Sequence, residues 1–260
     1  MKTTPSILAA LGAAVILATP VAAQSDFQWN GTLREGQTIH VAGVNGRVEA
    51  ELSPDGRVHV EAERSARRSD PSSVRIEVVE HAGGVTICAV YPTPRRSRGE
   101  NHCDEDGGRN SVNDNDTKVD FTVRVPAGVR VVGSTVNGAV DVEGLRSDVE
   151  ARTVNGSVSI RTSGLAQAST VNGGITARLG AASLTHDLEF STVNGGIDVS
   201  LSAGVAADLN ARTTNGGIHS DFGVLTHGSQ DRHRLRGTIG GGGPDLDLST
   251  VNGRITLREL

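Results

Sequence analysis

A four-residue phrase, Thr-Val-Asn-Gly, returns through the second half of this chain and restricts its fold more than any other feature. It stands at 135–138, 153–156, 170–173, 192–195 and 250–253. A variant, Thr213-Thr214-Asn215-Gly216, fills the place between the last two, and an outlier, Val44-Asn45-Gly46, sits near the start. From Asn137 through Asn155, Asn172 and Asn194 to Asn215 the spacings are 18, 17, 22 and 21 residues. Self-similarity at a period near 20 marks a repeat architecture, in which each unit buries its apolar face only against its neighbours.

Counting from each Asn as position zero exposes the packing logic. At −6 stand Val149, Ala166, Leu188, Leu209 and Leu246, and at −4 stand Ala151, Ala168, Phe190, Ala211 and Leu248. At +3 come Val140, Val158, Ile175, Ile197, Ile218 and Ile255, and at +5 come Val142, Ile160, Ala177, Val199, Ser220 and Leu257. Apolar residues alternate on both sides of Asn-Gly, as two half-buried strands require. The Thr at −2 shares their parity, which places it at the buried edge of the turn.

Two architectures satisfy this pattern. In a stack of antiparallel hairpins, Asn-Gly is a two-residue turn. In a parallel β-solenoid it is a corner, and coils of about 20 residues lie in register, so that the Asn side chains of Asn137, Asn155, Asn172, Asn194, Asn215 and Asn252 hydrogen-bond in a ladder. The solenoid is favoured because it explains why the corners are nearly identical. Gly after the Asn is expected to supply backbone freedom, and Gly144, Gly164, Gly180, Gly204 and Gly223 are read as a second corner. The gap from Asn215 to Asn252 is nearly two periods; Thr238-Ile239-Gly240-Gly241 reads as a decayed copy of the phrase, leaving 223–236 as a protrusion. The final coil is read as the end of the stack, with Arg254, Arg258 and Glu259 as edge charges.

Upstream, the expected domains are a signal peptide at 1–23, a β region or cap at 24–126 and the repeat solenoid at 127–260. Lys2, the apolar run from Ile7 to Ala18 and the small-x-small ending Val21-Ala22-Ala23 define an export signal cleaved before Gln24. A membrane anchor is the weaker alternative, since the apolar run is shorter than a span of about 20 residues. The mature chain is expected in the periplasm, at the cell surface or secreted, with no transmembrane segment. Between 24 and 126 the pattern is antiparallel: Thr38 to Leu52 broken at Asn45-Gly46, a turn at Ser53-Pro54-Asp55-Gly56, and Ser73 to Glu80 and Val85 to Tyr91 around Ala82-Gly83-Gly84. Helical periodicity is nowhere sustained.

Cys88 and Cys103 are the only cysteines, and in an exported chain they read as a disulfide closing the base of a polar loop at 92–117. A metal site using His102 and Cys103 is the alternative, but it lacks paired ligand spacing. Asp104-Glu105-Asp106-Gly107 and Asn113-Asp114-Asn115-Asp116 offer oxygens at alternate positions, as calcium would need, yet neither ends in the required Glu. No cofactor is expected.

Positions between the buried ones face solvent. At −5 these are Glu150, Gln167, Glu189, Asn210 and Asp247; at +4 they include Asp141, Asp198 and His219; at +6 they include Glu143, Arg161, Asp221 and Arg258. Asp198 and His219, read as neighbours on successive coils near Asp221, are the one candidate pair for acid–base chemistry. No nucleophile motif, phosphate loop or metal spacing accompanies them. The net charge of −5 becomes −6 once Lys2 is removed with the leader, which argues against nucleic acid as a partner.

The repeated Thr-Val-Asn-Gly-x-Ile, the export signal and the closing Gly241-Gly242-Gly243-Pro244 before Ser249-Thr250-Val251-Asn252-Gly253 resemble the bacterial DUF4097 family, whose members carry the label putative adhesin. The resemblance is strongest from about Ala127 onward. It implies a β-solenoid at the cell envelope and no catalytic residues to carry over. The functional expectation is a non-enzymatic, adhesin-like binding or scaffold protein, with an envelope protein or glycan as partner. The alternative is a carbohydrate-active enzyme, a polysaccharide lyase or hydrolase on one solenoid face.

Overall fold

The computed structural model describes residues 26–226 and 231–260; the segment read as a leader, 1–23, and His227 lie outside them. The fold is all-β, with one single-turn 3₁₀ helix at Pro71–Ser73. The upstream strands are β1 (Phe27–Gly31), β2 (Thr38–Ala42), β3 (Val48–Leu52), β4 (Val58–Ser65), β5 (Arg75–His81), β6 (Gly84–Val90) and β7 (Lys118–Val125). The next ten are β8 (Arg130–Ser134), β9 (Val140–Leu145), β10 (Val149–Arg152), β11 (Val158–Thr162), β12 (Ala166–Ser169), β13 (Ile175–Leu179), β14 (Leu188–Asn194), β15 (Ile197–Leu201), β16 (Ala207–Asn215) and β17 (Ile218–Ser220). The chain closes with β18 (Leu225–Thr226), β19 (Arg234–Ile239), β20 (Asp245–Asn252) and β21 (Ile255–Glu259).

Each repeat places one strand in each of two sheets, joined at the Asn-Gly corner. The first sheet runs β1-β4-β7-β3-β9-β11-β13-β15-β21-β17 and the second β5-β6-β2-β8-β10-β12-β14-β20-β16-β19-β18. Repeat strands pair in parallel, Ile175 with Ile197 and Ala168 with Phe190, for instance. That is a β-solenoid, and the hairpin stack is excluded. The inward residues of both sheets form one cluster of Val, Ile, Leu, Ala and a few aromatics, from Ile39 through Phe190 to Leu257. Small aliphatic side chains fill the narrow space between the sheets, each coil packing on the next.

The corner residues divide the work. Every Thr of the phrase is buried, at 5 to 7 % exposure. Its Oγ1 donates to the corner-Gly carbonyl of the adjacent coil: Thr135 to Gly46, Thr153 to Gly138, Thr170 to Gly156, Thr192 to Gly173, Thr250 to Gly195 and Thr213 to Gly253, at 2.8 to 3.0 Å. The Asn residues make a one-way ladder, 215→252→194→172→155→137→45, each Nδ2 donating to the next Oδ1 at 2.8 to 2.9 Å. Val of the phrase points outward, 37 to 40 % exposed from Val136 to Val251. The corner Gly acts by closeness rather than by an unusual dihedral. Only Gly46 among these corners has positive φ, whereas a Cβ on Gly138, Gly156, Gly173, Gly195, Gly216 or Gly253 would lie 1.9 Å from the carbonyl oxygen of the neighbouring corner Gly.

Stack order departs from chain order at both ends. β20 lies between β14 and β16, and β21 between β15 and β17. The last coil is therefore interior, and Arg254, Arg258 and Glu259 guard no edge. The edge belongs to the coil of β16 and β17, which β19 covers by antiparallel pairing with β16. Thr238-Ile239-Gly240-Gly241 ends β19 and is no corner; part of the expected protrusion is this cap. At the other end Val44-Asn45-Gly46 is a true corner. β2 and β3 do not pair as a hairpin: they lie in different sheets, parallel to β8 and β9 on one side and to β6 and β7 on the other. The turn after β3 likewise fails to close a hairpin, because β7 separates β3 from β4. At this end antiparallel pairing is confined to β1 with β4, β4 with β7 and the β5–β6 hairpin.

Candidate functional site

The acid–base pair expected on the first sheet is not assembled. Because β21 is inserted, Thr256 stands between Asp198 and His219 in register. Asp198 accepts from Arg258 Nε at 3.0 and 3.1 Å, while His219 Nε2 sits 3.0 Å from Asp221 Oδ1, both exposed. Arg161 pairs with Glu143 across adjacent strands at 2.9 Å. These columns are surface ion pairs, worth about 0–1 kcal/mol each.

The loop at 92–117 is tied down by the Cys88–Cys103 disulfide, with Cα atoms 5.7 Å apart. Two of its carboxylates, Asp104 and Asp116, turn onto backbone. Asp104 Oδ1 accepts from the N–H groups of Asp106 and Gly108 at 3.0 and 2.7 Å, which holds its carboxyl below the usual range, Gly108 contributing most. Asp116 accepts from Ser69 N at 2.9 Å, and this bond with the Ser69 hydroxyl brings its pKa down to about 2. Asn115 Oδ1 accepts from Thr117 N. Oxygens of the kind calcium would need thus shape turns, and among the described residues no group of three or more His, Cys, Asp or Glu converges as metal ligands do. The loop lies over His40 on the outer face of the second sheet, so close that a Cβ on Gly107 would be 2.8 Å from the ring. His40 Nε2 meets Ser134 Oγ at 3.2 Å, and burial pushes its pKa down despite the Glu105 carbonyl, Glu150 and Asp106.

Beyond that loop, the outer face of the second sheet is a continuous polar surface. Parallel register aligns two columns across the coils. One holds Glu150, Gln167, Glu189, Asp247 and Asn210; the other holds Arg152, Ser169, Ser191, Ser249 and Arg212. Ala168, Phe190 and Leu248 alternate inward between them, so the same period-2 pattern that builds the core builds this face. A shallow cavity of about 250 Å³ opens among Glu150, Arg152, Gln167, Ser169, Glu189 and Ser191. A second, of about 620 Å³, continues past Ser249 and Arg212 to Arg234 and His233. At its near end Glu150 binds Arg130 and Arg152; toward the far end Asn210 Nδ2 donates to Asp247 Oδ1 at 2.6 Å. The trough offers carboxylates, amides, hydroxyls, guanidiniums and the His233 imidazole, no Phe, Tyr or Trp ring, and no nucleophile with an aligned base. Its first column is legible in the sequence at −5. The second, at −3, was signalled by Ser recurring just before the Thr of the phrase, and Arg234 joins it only through the antiparallel cap.

The sequence profile of the family described as Toastrack DUF4097 matches residues 108–258, more than half of the chain. The chain belongs to this family. The match begins inside the polar loop at 92–117, beyond Cys103, and takes in every coil from β8 to β21. Solved structures similar to this Toastrack chain include a putative cell adhesion protein from Clostridium sporogenes ATCC 15579, at 8% identity, covering 90% of this chain and 99% of the other with a TM-score of 0.46. Another is a putative adhesin from Bacteroides fragilis NCTC 9343, at 11% identity, with 90% and 96% covered and a TM-score of 0.33. A putative lipid binding protein from Parabacteroides distasonis ATCC 8503 aligns at 12% identity over 89% and 96%, with a TM-score of 0.27. No curated protein matches. Among the described residues no helix is long and apolar enough to cross a membrane.

Proposed function

We propose that this Toastrack protein is an exported, non-enzymatic binding protein of the cell envelope, and that the outer face of its second sheet holds a glycan chain laid along the stack. The observation that carries this reading is the pair of registered polar columns. Five steps, from β10 through β12, β14, β20 and β16 to β19, span about 24 Å at the spacing of paired strands, enough for several sugar units. Sugars present hydroxyls that both donate and accept, and the trough answers with carboxylates and amide oxygens on one side and serines and guanidiniums on the other. Export is supported by the 1–23 segment and by the disulfide, which persists in oxidising compartments.

The test is a glycan array probed with the purified mature chain, followed by calorimetry on the ligands retained. Gln167→Ala together with Ser191→Ala, both in the trough, is expected to weaken binding roughly tenfold, since two hydrogen bonds at about 0.5–1.5 kcal/mol each amount to that factor. His219→Ala, on the other sheet, should leave it unchanged. Ligand recovered shortened, or binding indifferent to the trough variants, would refute the reading.

A further inference from the structure

The far end of the trough carries an unneutralised pair of arginines. Arg212 on β16 and Arg234 on β19 are directly opposite in an antiparallel pair, where Cβ atoms are about 4.5–5.5 Å apart and like charges destabilise. Arg236, opposite Asn210, extends the same face. None of the three has an ion pair among the described residues, and the undescribed stretches 1–25 and 227–230 contain no Asp or Glu. The contrast lies within the molecule: Arg124, Arg130, Arg152, Arg161 and Arg258 each meet a carboxylate. Of the nearby acids, Asp231 lines the same cavity with Oδ1 held by the His233 N–H at 2.7 Å, Asp247 Oδ1 is held by Asn210, and Asp208 and Asp245 lie in a neighbouring cavity with Arg236; none is within ion-pair distance of the three arginines. Arg212 and Arg234 also line the larger cavity with Thr214 and Ser249, whose hydroxyls complete a donor set.

Two adjacent guanidiniums beside hydroxyls match a carboxylate, which arginine binds through two parallel N–H donors. A densely charged polymer does not fit. Glu150, Glu189 and Asp247 line the rest of the trough, Glu189 and Asp247 being neighbours in register; the net charge is −5; and no Phe, Tyr or Trp lines it to stack successive bases. A hydroxyl-rich chain with an isolated carboxylate suits both ends. We infer that Arg212 and Arg234 receive the carboxylate of a uronic acid unit, so that the ligand of this face is a uronate-containing polysaccharide. The inference rests on the reading of the trough as a glycan site and names its ligand class.

The experiment compares polygalacturonate, alginate and hyaluronate, each with its carboxyl-reduced form, by calorimetry against the mature chain. At least one acidic polymer should bind, its reduced form roughly tenfold or more weaker, the loss of one charge-assisted contact. Arg212→Ala/Arg234→Ala should show the same loss on the acidic polymer, with a melting temperature unchanged or raised by relief of the repulsion. Arg178→Ala, on the other sheet, should bind as the wild type does. Equal binding of acidic and reduced polymers, a comparison needing no variant, overturns the inference. If that equal binding is still weakened by Gln167→Ala/Ser191→Ala, the glycan reading survives without it; if no polymer binds, the uronate inference falls and the glycan array alone decides the broader reading.

Discussion

Gly173 and Gly174 are adjacent in sequence, yet alanine at the two should act in opposite directions. A Cβ at 173 would lie 1.9 Å from Gly156 O and 2.5 Å from its carbon, whereas at 174 the nearest atom, Gly196 O, is 3.5 Å away. Neither residue has positive φ, so dihedral strain does not enter. To bring the added Cβ at 173 to even 3.0 Å, the coils must part there by about 1.1 Å, the difference of the two distances. That loosens the Thr170 Oγ1 bond to Gly156 O at 2.9 Å and the backbone bonds Gly156 N to Asn172 O and Asn172 N to Val154 O at 3.1 and 2.8 Å. Overpacking costs about 1–3 kcal/mol and each weakened bond up to about 1, giving roughly 3–5 kcal/mol. At about 2–4 °C per kcal/mol for a chain of this size, Gly173→Ala should melt about 6–20 °C lower. Gly174→Ala should melt the same or slightly higher, because the unfolded chain loses about 0.4–1 kcal/mol of freedom. Thermal melts of both variants by circular dichroism decide it. Midpoints within about 2 °C of each other would refute close approach as the reason for the corner glycine.

At the same corner, Thr170→Val should cost about 1–2 kcal/mol by leaving Gly156 O without its side-chain donor, while Asn172→Ala, whose ladder bonds are exposed, should cost less than about 1; urea midpoints in the reverse order would contradict this division of labour. Reduction of Cys88–Cys103 opens a loop with a separation of 15 and should destabilise by about 3 kcal/mol in the chain-entropy model, read as a lower melting point with reductant. His40 sets a pH dependence: its folded pKa lies below its ordinary 6.5, so between those values the unfolded chain binds the extra proton. The stability it contributes is complete above about pH 6.5 and is lost as pH falls through that window. Melting between about pH 7.5 and 5 should decline in the wild type and decline less in His40→Gln; parallel curves would remove His40 from the account.

What could be read from the sequence follows the reach of each signal. Alternation at −6, −4, +3 and +5 is local, and it placed Val149, Ala151, Ile175 and Ala177 inside with nothing further needed. Thr170 at the buried edge follows from the same parity. The reason for Gly173 does not, since only the adjacent coil shows what a Cβ would strike. The Asp198–His219 pairing assumed that consecutive repeats are neighbours, and Thr256 between them shows why that failed. Arg234 was invisible as a partner of Arg212 because an antiparallel return follows no repeat.

The misplaced coils share one physical cause. A Thr-Val-Asn-Gly corner offers the same hydroxyl, amide and bare Gly carbonyl to whichever coil lies beside it, so the phrase specifies stacking and leaves order open. Thr250 binds Gly195 and Thr213 binds Gly253 in the same geometry, 2.9 Å in both, although the partners are 55 and 40 residues apart. Order must come from the connectors. The segment 202–206 carries the chain from β15 past the place β20 and β21 will fill, and the antiparallel return of β19 beside β16 then leads the chain back toward it. At the other end, 126–129 passes the coil of β2 and β3, with Gly36 N bonded to Gly128 O at 2.9 Å where the two chains meet. Both terminal coils are thereby gripped on two sides, and the outermost strands are either short, as in β17 and β18 at three and two residues, or antiparallel, as in β1 and β5. A solenoid with a true terminal coil would show a full parallel edge to any copy of the same phrase. Threading each end one coil inward, and closing the outside with strands that lack the phrase, removes that template.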